Sequence, residues 1–580
     1  MSKSTYTFIT KKIINNRKSI FYYGLKSIEN FRLLQNKNIH HICFRKNKKQ
    51  RIDDLQKCEK IYKELFFELI KILNKINKVN YNSKQWSIIF GRFLKELIYV
   101  LYKNFHDLEK VLKINGIRHI KSIPVKDYEL VSNNYTSFIK AYNSSKWNSK
   151  LSTVILKFLL KKKEKHKKLI FLSGNNFNFI DKKSNFNSKI KKKLRLIFSN
   201  IINIFFKVRK FYFYQTGLNF FFEKQLEIKL NEFPSRHIFY EPDNIDLKIN
   251  SDLRNKIKLK LKEKNNFSKF LNEKLHLFLP KFLLEDFSQY EKEVKNNFYF
   301  KELKTIITGT GFTNESFNFF VARHVFNGTT FIILQHGNSY HTNYTNDFIF
   351  ENTVPDGFIT WGPQLKKIHK PLFNTKVLNN NSFKFKNNKK GYLTVVCNQL
   401  SSRPVPYDIS FEKEYCYNKT LDLVKKFPNY IKEKTFFRLF PTNHFGINQI
   451  LQNDLKNDNL GFYQDKTKFK NILQKTKISL FNYDSTGFYE NLLNSIPTIC
   501  FMPEGFINLN KRAIPFYKKL INCNILFIDG NKLTQHLSSI WADPYVWWNS
   551  DKVKFTVKSF NNFYNKRPIN ALNKFYKCIK

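Results

Sequence analysis

Three segments of the 580-residue chain set imidazole, guanidinium, hydroxyl or carboxyl groups where an apolar run stops. In the first, Gln335-His336-Gly337 directly follows TTFIIL, and Tyr340 and His341 come next. A histidine after an apolar strand, before a glycine that lets the backbone turn, is placed to act as a general base or anion ligand. The plainer alternative is a histidine hydrogen-bonded to a neighbouring loop. In the second, Arg438 lies inside TFFRLFP (435–441), with His444 and Gly446 just beyond. An arginine in an apolar strand is costly unless paired, so it either clamps a phosphate or carboxylate or makes a structural ion pair. The third segment runs Asn482-Tyr483-Asp484-Ser485-Thr486-Gly487 and leads into a helical stretch with Glu490, before Pro497 opens another strand. Strand, Ser/Thr-Gly, helix N-terminus is an anion site, because free backbone N–H groups, the helix dipole and the hydroxyls all face a bound phosphate. Glu490, one turn on, would reach ribose or sugar hydroxyls. The alternative is ordinary capping by Asp484, Ser485 or Thr486.

These segments need a scaffold, and the pattern after about residue 300 supplies one. TIITGTG (305–311) reads as a buried strand, 314–328 as a helix capped by Asn314 and stopped by Gly328, and TTFIILQHG as the next strand. The polar stretch FKFKNNKKG (383–391) reads as a linker. Beyond it, strands at 392–398, 435–441, 477–483, 497–501 and 525–528 alternate with helices at 411–427, 487–494 and 511–522. Such alternation predicts a parallel sheet covered on both faces, whose ligands sit beyond the carboxyl ends of the strands. Upstream, apolar spacing of three and four predicts helices over 53–80 and 88–112, with Asn82 and Ser83 as caps between them. The first forty residues read as short strand, helix and strand, with YTFIT (6–10) and SIFYYG (19–24) as the apolar runs.

Composition narrows the function classes. With 42% apolar and 17% aromatic residues the chain folds. There are 101 Lys and Arg against 45 Asp and Glu, a net charge of +56. That charge suits nucleic acid or an anionic membrane face. However, Lys, Asn, Ile, Phe and Tyr are all abundant and Gly and Pro scarce, as an A+T-rich genome would encode. The basic residues spread over the whole chain without a recognised RNA-binding module, so no specific nucleic-acid partner is expected. Seven cysteines without metal-type spacing are expected to be reduced thiols in a cytoplasm. No secretion signal and no uninterrupted span of eighteen apolar residues occurs. The dense Lys segment of 150–213, with KKKEKHKK, KIKKK and an apolar-basic stretch, would rest on an anionic membrane surface.

Several blocks together resemble a known family. QHG after a strand, Glu351, Asp356 with TWG (360–362), NYDSTGFYENLLNSIPTI (482–499) and IWADPYVWWNSDKV (540–553) look like bacterial transferases encoded among O-antigen and capsule biosynthesis genes. ITKK near the start, 61–94 and FLPKFLLEDF (278–287) match similarly placed segments, so the resemblance covers nearly the whole chain. More distantly, Ser485-Thr486 with Glu490 and Pro497, and His336-Gly337, resemble teichoic-acid polyol-phosphate transferases. The strand-end QHG and Ser-rich elements are also similar to capsule Kdo transferases. One departure is Phe440-Pro441, where those families carry His-Pro.

The resemblance implies an α/β protein of GT-B type, two Rossmann-like domains facing a cleft. The implied division is an acceptor-side domain at 1–382 with a helical insertion at about 50–300, the linker 383–391, and a donor-binding domain at 392–580. It implies transfer of a sugar or polyol-phosphate from a nucleotide-activated donor to a surface polysaccharide or lipid-linked acceptor, without a bound cofactor or metal. Gln335, Gly337, Arg438, His444, Asp484, Ser485, Thr486, Gly487 and Glu490 would bind the donor. His336 would be the base or a donor to the leaving group, with Glu285 or Asp286 in LLEDF as the alternative base unless these are surface charges. The setting is cytoplasmic, at most peripheral on the inner membrane face. The rivals are a basic nucleic-acid-binding protein and a non-catalytic assembly scaffold.

Overall fold

A computed structural model describes residues 8–11, 19–22, 39–41, 47–114, 117–163, 168–171, 209–233, 248–262, 264–297, 302–380, 385, 388–397, 410–439, 452, 455, 460–463 and 467–580. His444, Phe440-Pro441, positions 383, 384, 386 and 387 of the expected linker and most of the basic stretch, 164–167 and 172–208, lie outside the described residues.

Sixteen strands among the described residues form three sheets. The first contains β1 (Phe8–Lys11), β2 (Ser19–Tyr22), β3 (Ile39–His41), β4 (Ile117–Ser122) and β5 (Lys168–Phe171) in the order β3-β2-β1-β4-β5. It is mixed, with β1 antiparallel to both β2 and β4. The sequence predicted strands at 6–10 and 19–24 but not a separate sheet, because β4 and β5, which complete it, lie far along the chain.

The second sheet runs β6 (Phe211–Tyr214), β7 (Thr305–Thr308), β8 (Thr330–Leu334), β9 (Gly357–Thr360) and β10 (His369–Pro371), paired in chain order. The third contains β11 (Tyr392–Val396), β12 (Thr435–Arg438), β13 (Gly461–Phe462), β14 (Thr476–Phe481), β15 (Thr498–Phe501) and β16 (Leu526–Phe527). Every pairing in these two sheets is parallel. The central strands are buried on both faces, as TIIT and TKISLF show, which is why they read as apolar runs rather than alternations. The third sheet's order, β13-β12-β11-β14-β15-β16, is the 3-2-1-4-5-6 order of a Rossmann unit. Its strand order reverses between β11 and β14, so the ligand crevice predicted by topology lies beyond Val396 and Phe481.

A helical layer covers one side of the second sheet. The helices Lys48–Asn77, Arg92–Leu112 and Ser145–Lys163 share a core with β7 and β8 through Leu65, Leu97, Ile155, Ile306 and Phe331. Asn82 caps the short helix Ser83–Trp86 with a reciprocal bond from Gln85, as its spacing predicted. The chain's last helix, Ala571–Ile579, returns to the other side of the second sheet. There Phe575 and Ile579 pack with Phe213, Ile307, Ile332 and Ile359.

Two close approaches lock the site's loops. Gly362 follows the buried Trp361, and a Cβ at 362 would collide with the Phe563 carbonyl. Lys566 N–H donates to the Trp361 carbonyl at 2.8 Å. The Trp547-Trp548 pair that carried part of the resemblance is structural: Trp548 is buried, and Trp547 Nε1 donates to the Cys523 carbonyl at 3.0 Å.

Candidate active site

The loop after β8 meets the loop after β14. Asn338 N–H donates to Thr486 Oγ1 at 3.2 Å, its side-chain amide donates to the Asp484 carbonyl, and a Cβ on Gly337 would stand 3.7 Å from Thr486 Oγ1. His336-Gly337 and Asp484-Ser485-Thr486, 148 residues apart in the chain at Asn338 and Thr486, thus form one site at the crevice that the strand order marks.

Gln335 shapes the first wall. Its Oε1 accepts from the Trp361 N–H at 2.8 Å and its Nε2 donates to the Gly337 carbonyl at 2.8 Å, while Trp361 Nε1 donates to the Gln335 carbonyl at 3.1 Å. Its polar groups are spent on the loop, so Gln335 braces His336 and Gly337.

His336 faces a buried chain of polar groups. The Tyr340 hydroxyl lies 2.9 Å from His336 Nδ1 and donates to Glu351 Oε1 at 3.0 Å. With its proton on Glu351, the tyrosine oxygen is left to accept from the ring. Burial holds the His336 pKa below its ordinary value. Arg92 and Lys376 add to that, while Glu351 and the Gly309 carbonyl work against it. The imidazole is therefore neutral at pH 7, the protonation state from which a general base acts.

On the opposite wall, Ser485 is the N-cap of the helix Thr486–Leu493 and accepts from the Phe488 N–H at 3.1 Å. Capping therefore accounts for Ser485. Thr486, the first helical residue, turns its hydroxyl to Asn338 instead. Gly487 is needed for packing, since a Cβ there would press on the Phe481 ring at 3.2 Å. Arg438 ends β12 and stacks on Phe469, 4.8 Å from the ring centroid. Burial lowers its pKa, against the favourable charges of Tyr483 and Glu490. Glu490 also faces Lys376, a cation from the other unit that spacing gave no reason to single out. Asn338, Lys376, Arg92 and Tyr517 are further site residues that only the fold brings in. Tyr340 and Glu351 stood in recognised blocks without a role.

Asp484 is held from within the fold. Its carboxylate accepts from the Tyr517 hydroxyl at 2.5 Å, and burial raises its pKa from 3.8 to about 6. A carboxyl whose folded pKa is raised gives stability that is complete below pH 3.8 and is lost as pH rises through about 6. Asp484→Asn keeps the acceptor for Tyr517 without the charge. Its thermal midpoint should exceed the wild type's at pH 8 and match it near pH 4, whereas equal midpoints at both pH values would show that the carboxyl is not enclosed.

Glu285 lies elsewhere. It grips Arg254 with both oxygens, at 2.7 and 2.8 Å, and the two side chains are 3% and 0% exposed. Asp286 is buried as well. The expected alternatives, acceptor base or surface charge, give way for Glu285 to a buried structural pair. The turn Lys281–Leu283 packs its apolar side chains inward and carries the carboxylate to the Ser251–Asn255 helix, where Arg254 resides.

No curated protein matches the chain. A family model described as the LIC12162 family transferase matches residues 7–577, nearly the whole length, and the chain belongs to that family.

Proposed function

We propose that this transferase moves a sugar or polyol-phosphate from a nucleotide-activated donor to a surface-polysaccharide or lipid-linked acceptor, in a GT-B-like cleft between its two parallel sheets. The observation that carries the reading is the contact of the His336-Gly337-Asn338 loop with the Thr486 helix start at the Rossmann switch point. Donor phosphates rest on the Thr486–Leu493 helix N-terminus, with Arg438 and Lys376 offsetting their charge and Glu490 accepting from a hydroxyl. His336 takes the proton of the attacking acceptor hydroxyl, and the helix N-terminus stabilises the charge that develops on the leaving phosphate. The acceptor-side domain in this reading is 1–382 together with the returning helix 571–579, and the donor domain begins at 392. The enzyme works at the cytoplasmic membrane face, with the basic 150–213 segment toward anionic lipid.

Thermal denaturation with CMP, CDP, UDP, GDP and dTDP tests the donor site. One nucleotide should raise the midpoint, since a ligand at a hundredfold its Kd adds about 2.7 kcal/mol. Thr486→Val should remove that rise, with a basal midpoint lowered only by its lost bond to Asn338. Ser485→Ala should also lower the basal midpoint, by the roughly 1 kcal/mol of a lost cap. A full nucleotide response in Thr486→Val would overturn the assignment.

A further inference from the structure

A cavity of about 260 Å³ lies between the start of the Arg92–Leu112 helix and the 339–354 loop. Tyr340 and Glu351 line it, so Tyr340 is the partition between the cavity and His336. Its walls carry features that packing alone would not favour. The helix breaks into a π turn over Ser87–Gly91, immediately before Arg92. Such turns recur at functional sites because they shift the side chains that follow. Gly91 keeps the space open, since a Cβ there would press on the Tyr62 hydroxyl at 3.0 Å. Arg92 is clamped between the Tyr135 and Phe312 rings, its guanidinium carbon 4.9 and 4.8 Å from their centroids, with Nε 3.3 Å from Glu96 Oε1. Among the described residues its two Nη groups and the Tyr62 hydroxyl meet no hydrogen-bond partner. The Arg92 side chain is 26% exposed and lines the cavity, so its fork opens inward.

Charge decides what would occupy this space. Lys95 is spent on Glu59 at 2.9 Å and on the Phe348 carbonyl at 2.6 Å, which leaves Arg92 against both Glu96 and Glu351. A phosphate or carboxylate ligand would add a further negative charge beside those two. An apolar ligand would strand the Arg92 fork and the Glu351 oxygen that Tyr340 does not reach, at about 1–3 kcal/mol for each unsatisfied group. A neutral ring bearing several hydroxyls satisfies both, since its oxygens accept from Arg92 and Tyr62 and its hydroxyls donate to Glu351. The aromatic side chains of Tyr62, Tyr99 and Phe350 suit its C–H faces. Drug-sized ligands take roughly 300–1,000 Å³, so the space holds about one ring. We infer that this cavity binds a neutral, polyhydroxylated sugar ring of the acceptor, resting on the transferase reading above, and holds it on the far side of Tyr340 from His336.

Saturation-transfer NMR on the full chain tests this, with methyl glucoside, methyl N-acetylglucosaminide, methyl glucuronoside, glucosamine and inorganic phosphate as probes at tens of millimolar. At least one neutral glycoside should receive saturation and exceed the charged probes. Its affinity should fall about tenfold, equivalent to 1.4 kcal/mol, in Tyr62→Phe/Glu351→Gln and in Val354→Trp, whose indole crowds the lining. Thermal midpoints identify which variants fold, and Val354→Trp decides if the double variant does not. Transfer to the uronate or phosphate above the neutral glycosides, no transfer at all, or transfer unchanged in the folded variants would overturn the inference. Nucleotide binding in the same samples separates the two readings. Nucleotide without glycoside removes this site and leaves the transferase, whereas glycoside without any nucleotide keeps the site and removes the proposed donor.

Discussion

Replacing His336 by Gln lowers turnover by about 10²–10⁴-fold, the range of a lost general base, while nucleotide affinity measured by calorimetry stays within about twofold. The separation follows from geometry, because the imidazole belongs to the β8 loop and its Tyr340–Glu351 chain, whereas the proposed phosphate site is on the β14 side. The pH profile provides a second readout. Burial keeps the His336 pKa below 6.5, so the acid limb of kcat/KM lies below pH 6.5, and activity is lost as pH falls and the ring takes a proton. The charged groups that bear on the ring are Glu351, Arg92 and Lys376, with the neutral Tyr340 hydroxyl between it and Glu351. Glu351 raises the pKa, so Glu351→Gln should move the limb to still lower pH. An unmoved limb in that variant, or an unchanged rate in His336→Gln, would remove the histidine from the base role.

How far the sequence reaches depends on whether a signal is local. The β-α-β units were legible because buried parallel strands such as 305–308 and 476–481 are short apolar runs closed by Gly309 and Asn482. The helices at 315–326 and 486–493 also carry their own caps, Asn314 and Ser485. His336, Thr486 and Glu490 stood out because strand ends concentrate chemistry. What remained hidden depends on tertiary contact. Lys376 follows a nondescript loop, and Arg92 sits in a helix whose apolar periodicity gave no hint of a π turn. The partner of Glu285 is Arg254, 31 residues away beyond the Asn266–Lys274 helix. β13 is only two residues long and offers no periodicity. The first sheet joins strands more than a hundred residues apart, so no window of sequence contains it. Ser485 shows a local signal with two readings: a Ser/Thr-Gly helix start reads as an anion site or as an ordinary cap, and in the fold the Ser485 hydroxyl caps the helix.

Glu285→Ala should destabilise the helical layer by about 3–5 kcal/mol, the cost of breaking a buried ion pair, and leave turnover per folded molecule unchanged. Arg254 has no exposed side-chain surface, and its Nη1 also donates to the His276 and Leu279 carbonyls at 2.9 and 2.8 Å. Those carbonyls remain in the variant, but they are dipoles and cannot replace the carboxylate's charge. The asymmetry of such pairs supplies a control. Removing one partner strands a charge, whereas replacing both by apolar side chains of similar volume is often neutral or stabilising. Arg254→Met with Glu285→Leu should therefore regain most of the midpoint lost by Glu285→Ala. Amide hydrogen exchange over 251–285 should localise the loss, since opening there needs less free energy than global unfolding. A catalytic carboxylate behaves the other way, with turnover collapsing at an unmoved midpoint and no rescue from the apolar pair. That outcome would return Glu285 to the candidate bases and displace His336.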